Sequence, residues 1–277
     1  MINKTRLATV LILLRVHPCI AAATLKEETK DAWDVYLEAA NAAMQARLQP
    51  GAHFLWLDEE PGRAEGIRTK GAYIAPVGPH IPKKVPSGLI HDWLGVGFIP
   101  NVTIEDILRI VRNYDRYKDI YRPGVIDSIS HGTEGMKDRF SMRLANRSVV
   151  SKTALDTDCE VSYFRVDDRH WYSVSNTIHI QEVDKVGTPG QRFLPEDQGT
   201  GLIWRLSSIA RMEERDGGVY VELEAMALSR DIPAAFRLFV TPIVRRVSRD
   251  SLATSLHQTK AAVDDSMAHR QPEKPEN

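Results

Sequence analysis

Two strand-like runs, Gly201–Glu214 and Val219–Ser229, flank the dipeptide Asp216-Gly217. That dipeptide suits the two left-handed positions of a tight hairpin turn. A two-residue turn fixes the register beside it. Arg215 falls opposite Gly218, Met212 opposite Val221, Ala210 opposite Leu223, Arg211 opposite Glu222 and Ile209 opposite Glu224. One face then carries Trp204, Leu206, Met212, Val221, Leu223, Ala225 and Ala227. The other carries Arg205, Ser207, Arg211, Glu213, Glu222 and Glu224. The apolar face demands a covering layer, and the charged face reads as a solvated convex surface.

Further strands precede this hairpin at Gly88–Pro100, Val125–Ser130, Lys137–Asn146, Asp158–Val166 and Trp171–Val183. Thr103, with Asp106 three residues on, opens a helix over Ile104–Tyr117. Asp115–Pro123 reads as a second short helix and a turn. A final helix starts at Ile232-Pro233, with Asp231 as its N-cap, and runs to about Ala262. Pro242 is expected to kink or divide it. The order predicts an α+β fold: a curved antiparallel sheet of about seven strands wrapped on a long C-terminal helix.

The interior of such a grip can be listed from strand alternation. Phe140 and Met142 alternate with Arg139, Ser141 and Arg143. Tyr172 and Val174 alternate with Ser173 and Ser175. With Trp204, Leu206 and Leu223, and with Phe236, Phe239, Val240 and Ile243 from the helix, they form an apolar lining. Ser208, Asn176 and Tyr172 are its few polar members. A curved sheet that does not collapse fully onto its helix leaves a cavity, and this lining suits an apolar or amphipathic ligand. A filled core without a ligand is the competing reading.

The chain divides into four parts at this level: residues 1–23, 24–86, 87–263 and 264–277. The first has Lys4 and Arg6, the apolar run Leu7–Leu14 and Ala21-Ala22-Ala23, which reads as a signal peptide cut after Ala23. Arg15 and His17 interrupt it. Its loss would remove Cys19 and three cations, leaving 33 basic against 37 acidic residues and Cys159 as the lone thiol. This predicts a periplasmic or secreted protein. Leu25–Leu48 has helical spacing, with Trp33, Tyr36, Leu37, Ala40, Met44 and Leu48 near one face, and is expected to pack on the domain. His53–Pro86, rich in proline and glycine, reads as an irregular connection with Phe54 and Trp56 packed down. Asp264–Asn277 reads as a disordered tail.

At this point a resemblance emerges. The run GLIHDWLG at Gly88–Gly95, then Phe98-Ile99-Pro100, IEDIL at Ile104–Leu108, NYDRY at Asn113–Tyr117, DGGVYVE at Asp216–Glu222 and LSRDIP at Leu228–Pro233 resemble the SRPBCC superfamily of helix-grip proteins. These include START lipid-transfer domains, birch-pollen-allergen-like proteins, coenzyme Q-binding proteins and polyketide cyclases. The likeness spans roughly residues 87–262 and looks closest to an uncharacterised secreted bacterial branch. It implies the helix-grip fold and binding or transport of an apolar small molecule or lipid. It assigns no catalytic residue, because the superfamily spans carriers, sensors and enzymes.

Other chemistries find little footing. There is no G-x-S-x-G elbow, no P-loop, no dinucleotide fingerprint and no H-E-x-x-H among nine scattered histidines, so neither a cofactor nor a metal is expected. Balanced charge (36 basic, 37 acidic) argues against nucleic acid. The short apolar run at the N-terminus is not a membrane span. His91 is the best single catalytic candidate, on the face of Trp93, with Asp92 on the opposite face. Arg139, Arg143, Glu222 and Glu224 would form a carboxylate-binding constellation only if the faces were inverted. Two further readings stand beside the carrier: a cyclase- or hydrolase-like enzyme using His91 or Tyr172, and a protein-interaction module using Leu25–Leu48 and the Pro-rich segment.

Overall fold

The computed structural model describes residues 22–269 except 80, 149, 150 and 233, with backbone alone at 70, 146–148, 151–152 and 234–247. In chain order the elements are β1 (Ala23–Thr24), α1 (Glu27–Ala46), a 3-10 turn (Trp56–Glu59), α2 (Arg63–Lys70), β2 (Tyr73–Pro76), β3 (Lys83–Val85) and β4 (Gly88–Pro100). Then come α3 (Ile104–Val111), a 3-10 turn (Tyr114–Arg116), α4 (Tyr117–Ile120), β5 (Val125–Glu134), β6 (Lys137–Ser148) and β7 (Ser151–Arg165). The chain closes with β8 (His170–Asp184), β9 (Arg192–Phe193), β10 (Gln198–Gly199), β11 (Arg205–Arg215), β12 (Gly218–Arg230) and α5 (Ala234–Ala268).

Among the described residues, ten strands form one antiparallel sheet in the order β2-β4-β12-β11-β8-β7-β6-β5, with β3 beside β4 and β9 beside β8. The α5 helix lies against its inner face. This is a helix-grip arrangement, with more strands than the seven expected. The hairpin register falls where the turn chemistry puts it, with Met212 opposite Val221 and Arg211 opposite Glu222. Asp216 and Gly217 both take positive φ, the conformation such a turn requires. The capping box at α3 also forms: Thr103 Oγ1 accepts from the Asp106 amide, and Asp106 Oδ2 accepts from the Thr103 amide at 3.0 Å. Helix α3 itself stops at Val111, and the NYDRY segment continues as the 3-10 turn and α4.

Three expectations change. The His53–Pro86 segment is not irregular throughout. It contains the turn at Trp56, helix α2 and the edge strands β2 and β3. The α5 helix runs on through Pro242 without dividing and reaches Ala268, beyond Ala262 and into the expected tail.

The third correction concerns the outer face of the sheet. It is not a solvated surface over β4, β12 and β11. There α1 lays Trp33 and Met44 against Ile90, Ile209, Met226 and Leu228. The following segment lays Leu55, Leu57 and Ile67 against Leu94, Val96 and Tyr220. The fold is therefore three layers deep on one half of the sheet, and β4 is buried on both faces, as its apolar runs on either side of His91-Asp92 allow. Glu222 is wholly buried and Arg211 only 3% exposed. Buried ions need partners. Arg211 donates to Glu222 Oε2 at 3.2 Å and to Glu224 Oε2 at 3.1 Å, and the Leu57 amide donates to Glu222 Oε1 at 3.1 Å.

Candidate functional site

The inner face is assembled row by row from strand pairing. On β11 it is Leu206, Ser208, Ala210 and Met212, opposite Ala227, Ala225, Leu223 and Val221 of β12. On β4 the matching residues are His91, Trp93, Gly95 and Gly97. On β8 they are Trp171, Ser173 and Ser175, since Trp171 pairs with Met212 and Ser175 with Ser208. Phe140, Cys159, Val161 and Tyr163 extend the face through β6 and β7.

One end of this face is filled. Ile104, Ile107 and Leu108 of α3, Tyr114, Phe140, Tyr163, and Leu256 and Val263 of α5 make a continuous core. Tyr114 stacks on Phe140 with ring centroids 4.2 Å apart. Under it lies an ion pair whose carboxylate is buried. Arg112 forks onto Asp138 with two bonds of 2.8 Å, and Asp138 also accepts from the Tyr114 hydroxyl at 2.9 Å. Burial alone would raise the Asp138 carboxyl, but its bonds from Arg112, Thr133 and Tyr114 hold it below the usual carboxylate range.

The other end is different. Leu206, Ser208, Ala210, Leu223, Ala225 and Ala227 are only half-buried, although they face the side on which α5 lies. Their outward-facing neighbours Ile209, Arg211, Met226 and Leu228 are buried. Leu223 and Ala225 pack against the contact of Leu252 with Trp93, and Leu206, Ser208 and Ala227 form a half-buried row between that contact and the β12 terminus. Gly97, on the same face, has open space where a β-carbon would stand.

Of the residues expected to line a ligand cavity, Phe140, Met142, Leu206, Ser208 and Leu223 lie on the inner face. Phe140 belongs to the filled end. Tyr172, Val174 and Asn176 lie on the outer face instead, opposite Arg211, Ile209 and Ser207. Tyr172 accepts from Gln45 of α1 at 3.2 Å, and Asn176 accepts from Ser207 at 2.7 Å. The rule that apolar residues point to the inner face fails on β8 because α1 makes the outer face apolar as well. Trp204, just before β11, packs with Trp33, Val85 and Ile90 in the α1 layer. Phe236, Phe239, Val240 and Ile243 lie on α5 with side chains outside the described residues.

His91 faces the inner side with Trp93, as expected, and Asp92 faces outward. Its ring is buried, with Nε2 3.0 Å from Ser229 Oγ. The four-residue carboxylate-binding constellation does not form. Arg139 pairs with Glu160 at 3.1 Å, Arg143 forks onto Asp156, and Glu222 and Glu224 share Arg211. Cys159 is buried, and burial pushes its thiol up to about 11. Among the described residues no group of three or more His, Cys, Asp and Glu side chains could hold a metal ion, and no helix is long and apolar enough to cross a membrane.

Two concavities lie away from the inner row. One of about 260 Å³ runs over the β5–β8 half of the sheet, among Ser141, Arg143, Asp156, Asp158 and His179. The other, of about 380 Å³, lies at the start of α1 beside Trp204 and Arg230. Sequence reasoning missed both, since neither has a local motif.

No protein-family model matches this chain, and no curated protein matches it significantly. Some solved structures align with it at low identity. A STAR-related lipid transfer protein from Xanthomonas axonopodis is 11% identical with a TM-score of 0.47, over 69% of this chain and 98% of that one. Zhui aromatase/cyclase from Streptomyces sp. R1128 is 7% identical with a TM-score of 0.44, over 64% and 96%. Human STARD10 is 7% identical with a TM-score of 0.39, over 82% and 90%. What each of those proteins binds or makes is its own.

Proposed function

We propose that this protein binds an apolar or amphipathic small molecule, a lipid in the broad sense, between the inner face of its sheet and α5, as a carrier or sequestering protein. The observation that carries this reading is the inverted burial of the β11–β12 hairpin. Its mostly apolar inner row stays half-buried, while Arg211, Glu213 and Glu222 on its outer row are buried. A sheet that buries arginine and glutamate yet leaves alanine and leucine half-open beside a helix favours a third occupant. Covering about 300 Å² of ligand apolar surface would contribute roughly 7 kcal/mol before the costs of ordering. The basic and apolar pattern of residues 1–23 supports a periplasmic or secreted setting.

The test starts with the chain from Thr24 onward, purified from the cells that make it. Native and denaturing mass spectrometry should find a co-purifying lipid or isoprenoid. Adding it back to delipidated protein should raise the melting temperature. Ala227→Phe, which fills the row beyond the Leu252–Trp93 contact, should keep the fold and lose that shift. A ligand-free protein with no thermal shift across fatty acids, phospholipids and isoprenoids overturns the reading.

A further inference from the structure

Beneath α1 the outer face holds three carboxylates and one guanidinium. Glu222 and Glu224 flank Arg211 from β12, and Asp92 projects from the neighbouring strand β4. Asp92 is 1% exposed. Its Oδ2 accepts a 2.8 Å bond from the Tyr36 hydroxyl of α1, and its Oδ1 is buried with no partner. The groups facing it come from every layer around it. Tyr36 reaches it from α1, with Lys83 Nζ of β3 lying 4.8 Å over the Tyr36 ring. Glu224 approaches from β12 and Arg211 from β11. Arg211 already serves two carboxylates, so a third ionised one has no cation of its own. A buried carboxylate with an unpartnered oxygen is costly, whereas the neutral acid is not.

We propose that α1 is a pH-sensitive strap: it is held firmly on the sheet while Asp92 keeps its proton and loosens when Asp92 ionises. Burial and the Glu224 carboxylate push the Asp92 carboxyl up to about 7, against the weaker opposing pull of Tyr36 and Arg211. The sign follows from linkage. With the strap open, Asp92 returns to the ordinary range near pH 4. The grip is then full below about pH 4, falls about tenfold per pH unit as pH rises, and levels off above about 7.

The experiment is amide hydrogen exchange of α1 in the chain from Thr24 onward, at pH 5 and pH 8, corrected for the intrinsic rate. Wild-type α1 should open at least about tenfold more readily at pH 8. D92N, which keeps an acceptor for Tyr36 and cannot ionise, should protect α1 equally at both. Equal protection of the wild-type helix at the two pH values overturns the proposal, and so does a pH dependence that survives in D92N. Should D92N fail to fold, E224Q takes its place. Removing that neighbouring charge eases ionisation, so the pH at which exchange levels off must fall; an unmoved profile overturns the strap.

Discussion

Gly95 of β4 lies so close beneath Leu256 of α5 that a β-carbon there would stand 2.7 Å from Leu256 Cδ1, and 3.0 Å from Leu252 Cγ. This is where the helix seats on the sheet. Gly95→Val should lift α5 and destabilise the fold by about 1–3 kcal/mol, read as a lower midpoint in urea. Gly97→Ala, on the same face with open space, should stay within about 0.5 kcal/mol of the parent.

Arg211 anchors the outer charge cluster at 3% exposure. Replacing it with methionine leaves Glu222 and Glu224 buried without their cation. Arg211→Met should cost about 3–5 kcal/mol, read as a lower midpoint in urea. A loss below about 1 kcal/mol would count against an electrostatic cause.

The register of the hairpin, the α3 capping box and the inner row of β11 and β12 were readable because each depends on neighbours in sequence or across one turn. The face assignment of β8 was not. Its apolar set, Tyr172 and Val174, covers the side that α1 seals, and its inner set is Trp171, Ser173 and Ser175. Hydropathy cannot choose a face when both are covered. A bulge between Asp158 and Cys159 opposite β8 shifts the phase further along the strand. The solvated reading of Arg211 and Glu222 failed for the same reason: the cover comes from residues more than 160 positions away in the chain. Edge strands β2 and β3, of four and three residues, are too short among prolines to carry a period.

Asp138 owes its low carboxyl range to Arg112, Thr133 and Tyr114. A depressed carboxylate stabilises the fold above the ordinary carboxylate range, and that contribution drains away as pH falls through its folded value. Asp138→Asn should therefore destabilise the protein at pH 7 and less so at pH 3. Urea unfolding of both proteins at the two pH values checks it; a constant difference would place the loss in packing alone.

Cys159, buried with its thiol pushed to about 11, should be silent toward a thiol reagent. In the chain from Thr24 onward it is the sole cysteine. Native protein at pH 8 should label at least about a hundredfold more slowly than urea-unfolded protein. Rapid native labelling would show that the inner core opens at β7.

The Leu57 amide and Glu222 are hydrogen-bonded across 165 residues of chain. The ribosome makes the outer cover first and its seat on β11 and β12 close to last. Until β11 and β12 emerge, Trp33, Met44, Leu55 and Leu57 have only β4 to bury against. Such long-range closure slows folding, and the waiting segment is one a chaperone would need to shield. A chain stopped before β11 would leave that cover with half its seat, so the last strands to be made complete the concealment of the first helix.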